Sequence, residues 1–91
     1  MIVVTERAKQ RIKEMLAAKT SNPDVGMRLV LKPNTGKFVL RFDKERERDQ
    51  VVRYNGSSIL LIDEIMAAHR GMLTIDLAGA GAFRRLVIAA R

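Results

Sequence analysis

The sequence contains no cysteine. That absence removes thiolate nucleophiles, disulfides, zinc–thiolate sites and the usual anchors of iron–sulfur clusters together. There is no tryptophan either, and the aromatic residues are Phe38, Phe42, Phe83 and Tyr54, few rings for the stacking platforms that single-strand nucleic-acid binders use. His69 is the only histidine, so a multi-imidazole metal centre is excluded. No apolar run approaches the roughly 20 residues needed to cross a bilayer. The start, Met1-Ile2-Val3-Val4-Thr5, lacks the basic region, long apolar stretch and cleavage site of a secretory signal. A cytoplasmic protein with no membrane association is expected.

What is present is charge. Lysine and arginine total 17 against 10 acidic residues, a net charge of +7 in 91 residues. Such a balance draws anionic partners through the long-range field without saying which. The chain is one domain, residues 1–91. At this length folding buries about 60–65% of the unfolded surface, so a single modest core is expected.

Periodicity supplies the elements. Ile2 to Val4 reads as a short strand. Thr5 is a suitable N-cap, and Ala8, Ile12, Met15 and Leu16 recur at helical spacing behind it, which predicts a helix over Glu6 to Lys19. Thr20-Ser21-Asn22-Pro23-Asp24 ends it. Met27–Lys32 and Lys37–Asp43 are strand-like and joined by the tight connection Pro33-Asn34-Thr35-Gly36, a β-hairpin. The alternating charges of Lys44 to Arg48 read as a solvated turn. Gln50–Tyr54 and Ser58–Ile62 flank Asn55-Gly56, the strongest hairpin signal in the chain. Asp63 caps a short helix that ends at His69-Arg70 and Gly71, acid first and base last, as the helix dipole favours. Met72–Leu77 and Phe83–Ala90 are the last strands, joined by the small residues 78–82. The pattern is a strand-rich α+β fold, a compact β domain of two small sheets or a pseudo-barrel, with an N-terminal helix and one short second helix.

The first hairpin carries the most specific expectation. If Lys32 pairs with Lys37, then Val30 faces Val39 and Arg28 faces Arg41, and all six share one face. Met27, Leu29, Leu31, Phe38, Leu40 and Phe42 form the opposite, core-facing side. Arg28, Lys32, Lys37 and Arg41 are therefore the candidate anion-binding residues. The competing reading is that Asp43, Glu45, Glu47 or Asp49 neutralises the strip, or that solvent screens it.

Other chemistry finds little support. His69 suits a cap or surface role at its helix end. Asp43, Asp49, Asp63, Glu64 and Asp76 could build an oxygen-only metal site, but turn and cap chemistry accounts for them better. Gly79-Ala80-Gly81 has the first two glycines of a dinucleotide fingerprint, with Arg84 in place of the third and a strand where a helix is required. Ser57 and Ser58 belong to the Asn55-Gly56 hairpin, and no base is spaced to activate them. Tyr54 is the one ring expected to be exposed, so base stacking has a single platform at most. No cofactor is expected, and no catalysis.

The order of elements resembles the HesB-like family, the A-type iron–sulfur cluster biogenesis proteins. Ile2-Val3-Val4-Thr5 with Ala8, Ile12 and Leu16 is similar to that family's first strand and helix. Gly26 to Lys32 is similar to its glycine–apolar–arginine–leucine strand. Val51 to Gly56 with Ile59 to Asp63, and then Gly71 to Leu77, resemble its central hairpin and the following strand. The resemblance covers most of residues 2–78 and implies the family fold, self-association and a partner surface. Cluster-handling members carry a cysteine in the loop after the arginine–leucine strand and a cysteine–glycine–cysteine tail. Here that loop is Pro33 to Gly36, and the tail is expected to be missing. The resemblance thus implies an inherited scaffold without the ligands: a non-enzymatic binding or adaptor module, acting on an unknown protein partner or as a homo-oligomer. The alternatives are a basic module that binds nucleic acid or another polyanion through the four hairpin cations, and an oxygen-ligated metal protein.

Overall fold

A computed structural model describes residues 2–69 and 71–90, with the backbone alone for His69 and Ala90. The elements are β1 (Ile2–Val4), α1 (Glu6–Lys19), β2 (Val25–Lys32), β3 (Lys37–Lys44), β4 (Asp49–Tyr54), β5 (Ser57–Asp63), α2 (Glu64–His69), β6 (Leu73–Ala78), a 3₁₀ turn (Gly81–Phe83) and β7 (Arg85–Ala90). They form two sheets, three-stranded β1-β6-β7 and four-stranded β3-β2-β5-β4. The strand-rich α+β architecture expected from the periodicity is what the chain adopts.

Helix α1 forms where its stripe predicts. Thr5 is extended, and its hydroxyl accepts a hydrogen bond from Ala8 N, satisfying one of the helix's orphan donors. Ala8, Ile12 and Leu16 are buried on the face turned to the sheets, where they join Met27, Leu29, Ile59, Leu60, Ile62, Leu73 and Ile75 in one core. Each large aliphatic side chain removed from water there contributes about 1.5–3 kcal/mol. β1 runs parallel to β6, with Ile2 beside Leu73 and Val4 beside Ile75, so the two ends of a long crossover meet in one sheet.

The clasp at this junction is polar. Asp76 on β6 accepts from Arg7 Nε at 2.7 Å and Arg7 Nη2 at 2.8 Å, and from the Thr5 hydroxyl at 2.7 Å. The Arg7 guanidinium holds the Asp76 carboxyl well below the usual carboxylate range, with the Thr5 hydroxyl and Leu77 N–H reinforcing it.

Two expectations are corrected. Phe83 does not open the last strand. Gly79 and Gly81 both have positive φ, 85° and 57°, and the chain closes a 3₁₀ turn in which Phe83 N donates to Ala80 O. A side chain at Gly79 would lie 2.4 Å from the Phe83 carbonyl oxygen, so the turn needs the glycine. The core face of the first hairpin also ends earlier than expected. Met27 and Leu29 are buried, whereas Phe42 is 41% exposed, with Lys19 Nζ 6.0 Å from its ring centre.

Candidate functional site

The first hairpin has the register its sequence implies. Lys32 pairs with Lys37, Val30 with Val39, Leu29 with Leu40 and Arg28 with Arg41. The connection is closed by two backbone N–H groups, those of Thr35 and Gly36, which both donate to Lys32 O. Gly36 takes φ 69°, the left-handed value such a turn requires. Arg28, Val30, Lys32, Lys37, Val39 and Arg41 therefore share the sheet face away from the core.

The four cations do not form one strip. Arg28 is only 6% exposed. Its Nε donates to Asp43 Oδ2 at 2.6 Å, and Nη1 and Nη2 donate to the two oxygens of Asp49 at 2.7 and 2.6 Å. Nη2 also donates to the Lys44 carbonyl at 3.0 Å. Asp43 sits on β3 and Asp49 on β4, so this side chain spans the sheet and ties down both ends of the charged turn between those strands. Arg46 completes the network, its backbone N–H reaching Asp49 and its Nη2 reaching Asp43. Hydrogen bonds from Arg28 hold both carboxyls below their ordinary value, and Asp49 in turn raises Arg28 against the opposing effect of burial. Arg28 is thereby withdrawn from the candidate anion-binding set. Its charge is met inside the fold because a buried guanidinium without a carboxylate would be far too costly.

Lys32, Lys37 and Arg41 remain exposed, and among the described residues none of them has an ion-pair partner. They surround Val30 and Val39. The remaining candidates disperse. Asp63 caps α2 by accepting from Ile65 N and Met66 N, Asp76 is held by Arg7, and the His69 side chain lies outside the described residues. Tyr54, expected to be exposed, packs against the core with Lys13 Nζ 5.8 Å from its ring centre. Phe83, at 84%, and Phe42, at 41%, are the exposed rings instead.

A cleft of about 780 Å³, which the sequence pattern does not predict, adjoins this face. β2, β3 and the start of α2 bound it, with Val30, Ile65 and Met66 among its apolar residues and Arg41 at its side. It exists because β2 pairs with β5 only at Met27–Leu60 and Arg28–Leu61. Beyond that point β5 runs into the Asp63 cap and α2 diverges. Only the hydrophobic pattern of β2 was legible in sequence; where a parallel ladder stops is not.

No protein-family model and no curated protein matches the chain. Solved structures do. SufA of Escherichia coli, described as involved in biosynthesis of iron–sulfur clusters, superposes with a TM-score of 0.74 at 21% identity, over 98% of this chain and 84% of that one. IscA, solved with a 2Fe–2S cluster, gives 0.64 at 11% identity, over 99% and 85%. The chain has the HesB-like fold of these A-type proteins, as the resemblance implied. Its donor set does not fit a thiolate-bound cluster. The turn from Pro33 to Gly36 carries no thiol, and among the described residues no group of three or more His, Cys, Asp or Glu side chains is placed to hold a metal ion. No helix among them is long and apolar enough to cross a membrane.

Proposed function

We propose that this chain is a HesB-like scaffold that works as a non-enzymatic adaptor, engaging an anionic partner rather than holding a cluster through its own side chains. The observation that carries the reading is the first hairpin. Its turn is closed on Lys32 O without a sulfur ligand, and its outer face carries Lys32, Lys37 and Arg41 around two valines. Like charges directly opposite in a sheet cost a few tenths to about 1 kcal/mol. An anionic partner removes that penalty on binding.

Anaerobic incubation with ferrous iron and sulfide, followed by desalting, tests the first half of the reading. The expected result is protein without a visible chromophore. A stable brown species retained through the column overturns it. Elution from immobilised heparin tests the second half. Wild-type protein is expected at higher salt than the Lys32→Gln, Lys37→Gln, Arg41→Gln variant, and coincident elution overturns the assignment of this face.

A further inference from the structure

We propose that the cleft beside β2 receives an extended, acidic segment of a partner protein, which adds to β2 as a strand. The proposal rests on the adaptor reading above and names what that face binds.

The backbone comes first. β2 is paired with β3 along its whole length, Val25 to Lys32, yet its ladder with β5 holds only two pairs. β5 ends at Asp63, level with Val30 in that register, so the far end of β2, Leu31 and Lys32, has no strand on its second side. In an antiparallel pair, alternate residues turn their N–H and C=O groups away from the partner strand. The cleft adjoins this end of the strand, with Val30 and Leu31 in its lining. An unpaired edge with a groove beside it is the geometry that strand addition uses: main-chain hydrogen bonds supply affinity and side-chain positions supply selectivity. A cleft of about 780 Å³ lies within the ordinary range for ligand sites.

The side chains then define the occupant. Val30 and Met66 are part-buried, and Ile65 is 64% exposed; all three line the cleft and offer apolar contact. The other charges around it are already engaged: Arg28 and Arg46 hold Asp43, and Asp63 caps α2. The Arg41 side chain has no ion-pair or hydrogen-bond partner among the described residues, and Lys32 and Lys37 continue its positive charge toward the turn. The site thus asks for carboxylates interleaved with aliphatic side chains. A second copy is disfavoured as the occupant: its net charge is also +7, and its carboxylates set among aliphatic residues, Asp63 and Asp76, are engaged within the fold by the α2 cap and by Arg7. Nucleic acid is disfavoured because no ring lines the cleft except through Phe42, which Lys19 covers, and Tyr54 is packed elsewhere.

The test uses the whole chain and a fluorescein-labelled synthetic peptide alternating glutamate and leucine, followed by anisotropy. Binding is expected, with slowed amide exchange at the free end of β2, Leu31 and Lys32. Methylating alternate backbone nitrogens of the peptide, which blocks strand pairing and leaves its side chains intact, is expected to weaken it about tenfold or more. Arg41→Gln, an exposed change that leaves the fold alone, is expected to weaken it about tenfold. The proposal is overturned by absence of binding, by equal binding of the methylated peptide, by indifference to Arg41→Gln, or by a labelled single-stranded oligonucleotide binding more tightly than the peptide. The iron–sulfide reconstitution stands apart from all of these. A chain that forms no cluster and ignores the peptide sinks the cleft and leaves the cluster-free scaffold in place.

Discussion

Arg28 reaches Asp49 across an intervening strand. Arg28 lies on β2 and Asp49 on β4, with β5 between them, and the pair is still bidentate at 2.7 and 2.6 Å. Beneath the crossing lies Leu61 of β5, fully buried and paired with Arg28 on one side and Val51 on the other. The guanidinium therefore serves as a roof over the outer face of the larger sheet and as an anchor for the β3–β4 turn.

Removing one end of this bridge strands the other. The Asp49 side chain is 1% exposed, so Arg28→Met leaves a buried carboxylate without its main partner. The expected loss is about 3–5 kcal/mol, read as a lowered urea midpoint. Adding Asp49→Val to Arg28→Met is expected to recover part of that loss, because no orphan charge remains. A double variant as unstable as the sum of both single variants would show that the bridge is not the coupling between them.

The same bridge sets an acid limit. Asp43 and Asp49 both have carboxyls held below their ordinary value by Arg28. A depressed folded-state value means a contribution fully present above the unfolded carboxylate pKa of about 3.9 and lost as pH falls through the folded value. Thermal midpoints are expected to be flat near neutrality and to fall once pH drops below about 4. Asp49→Asn is expected to be less stable at neutral pH and to show a shallower acid slope. An unchanged slope in that variant would assign the acid sensitivity elsewhere, with Asp76 and its Arg7 partner the next group to examine.

What could be read from the sequence divides along physical lines. The first hairpin was legible to the residue because its turn fixes the register and the two-residue period then fixes both faces. Helix α1 was legible because a cap and an apolar stripe agree on its limits. For Arg28 the sequence offers both readings, an anion-binding cation and one neutralised by Asp43 or Asp49, and the structure takes the second; local pattern does not decide between them, because the two partners lie 15 and 21 residues away, one on the neighbouring strand and one across the sheet. The apolar neighbours of Phe83 predict a strand; two glycines with positive φ turn it outward instead. Its place beside a turn predicts an exposed Tyr54, whereas its side chain packs against the core beneath α1. The cleft was invisible for a related reason. It depends on where β5 stops following β2, a property of the packed helix α2 and not of either strand.

Glycine substitutions separate conformational strain from collision. At Gly36, φ is 69° and a Cβ would meet nothing within 4 Å, so Gly36→Ala is expected to cost only the left-handed penalty of about 1–2 kcal/mol. At Gly79, φ is 85° and the Phe83 carbonyl would lie 2.4 Å away. Gly79→Ala must bear the same penalty and also displace the turn before β7. It is expected to be the more destabilising by a margin visible in thermal melts, with slowed amide exchange lost first along β7. Equal melting temperatures would mean that the turn relaxes freely.

Charge reversal at the hairpin tip tests whether its cations serve a partner at the fold's expense. Lys32 and Lys37 are directly opposite, so Lys37→Glu turns a repulsive cross-strand pair into an attractive one. Such exchanges are worth about 0.2–1 kcal/mol, and the gain is expected to shrink in about 1 M salt, where the Debye length falls to about 3 Å. Both residues are exposed, so the fold has no packing reason to resist the change. Lys37→Glu is accordingly expected to be slightly more stable at low salt while eluting earlier from heparin and binding the acidic peptide more weakly. Stability and binding moving in opposite directions is the signature of a surface kept for its partner. If the variant gains no stability at low salt, the two lysines are already relaxed by solvent, and the pairing gives no argument for a ligand there.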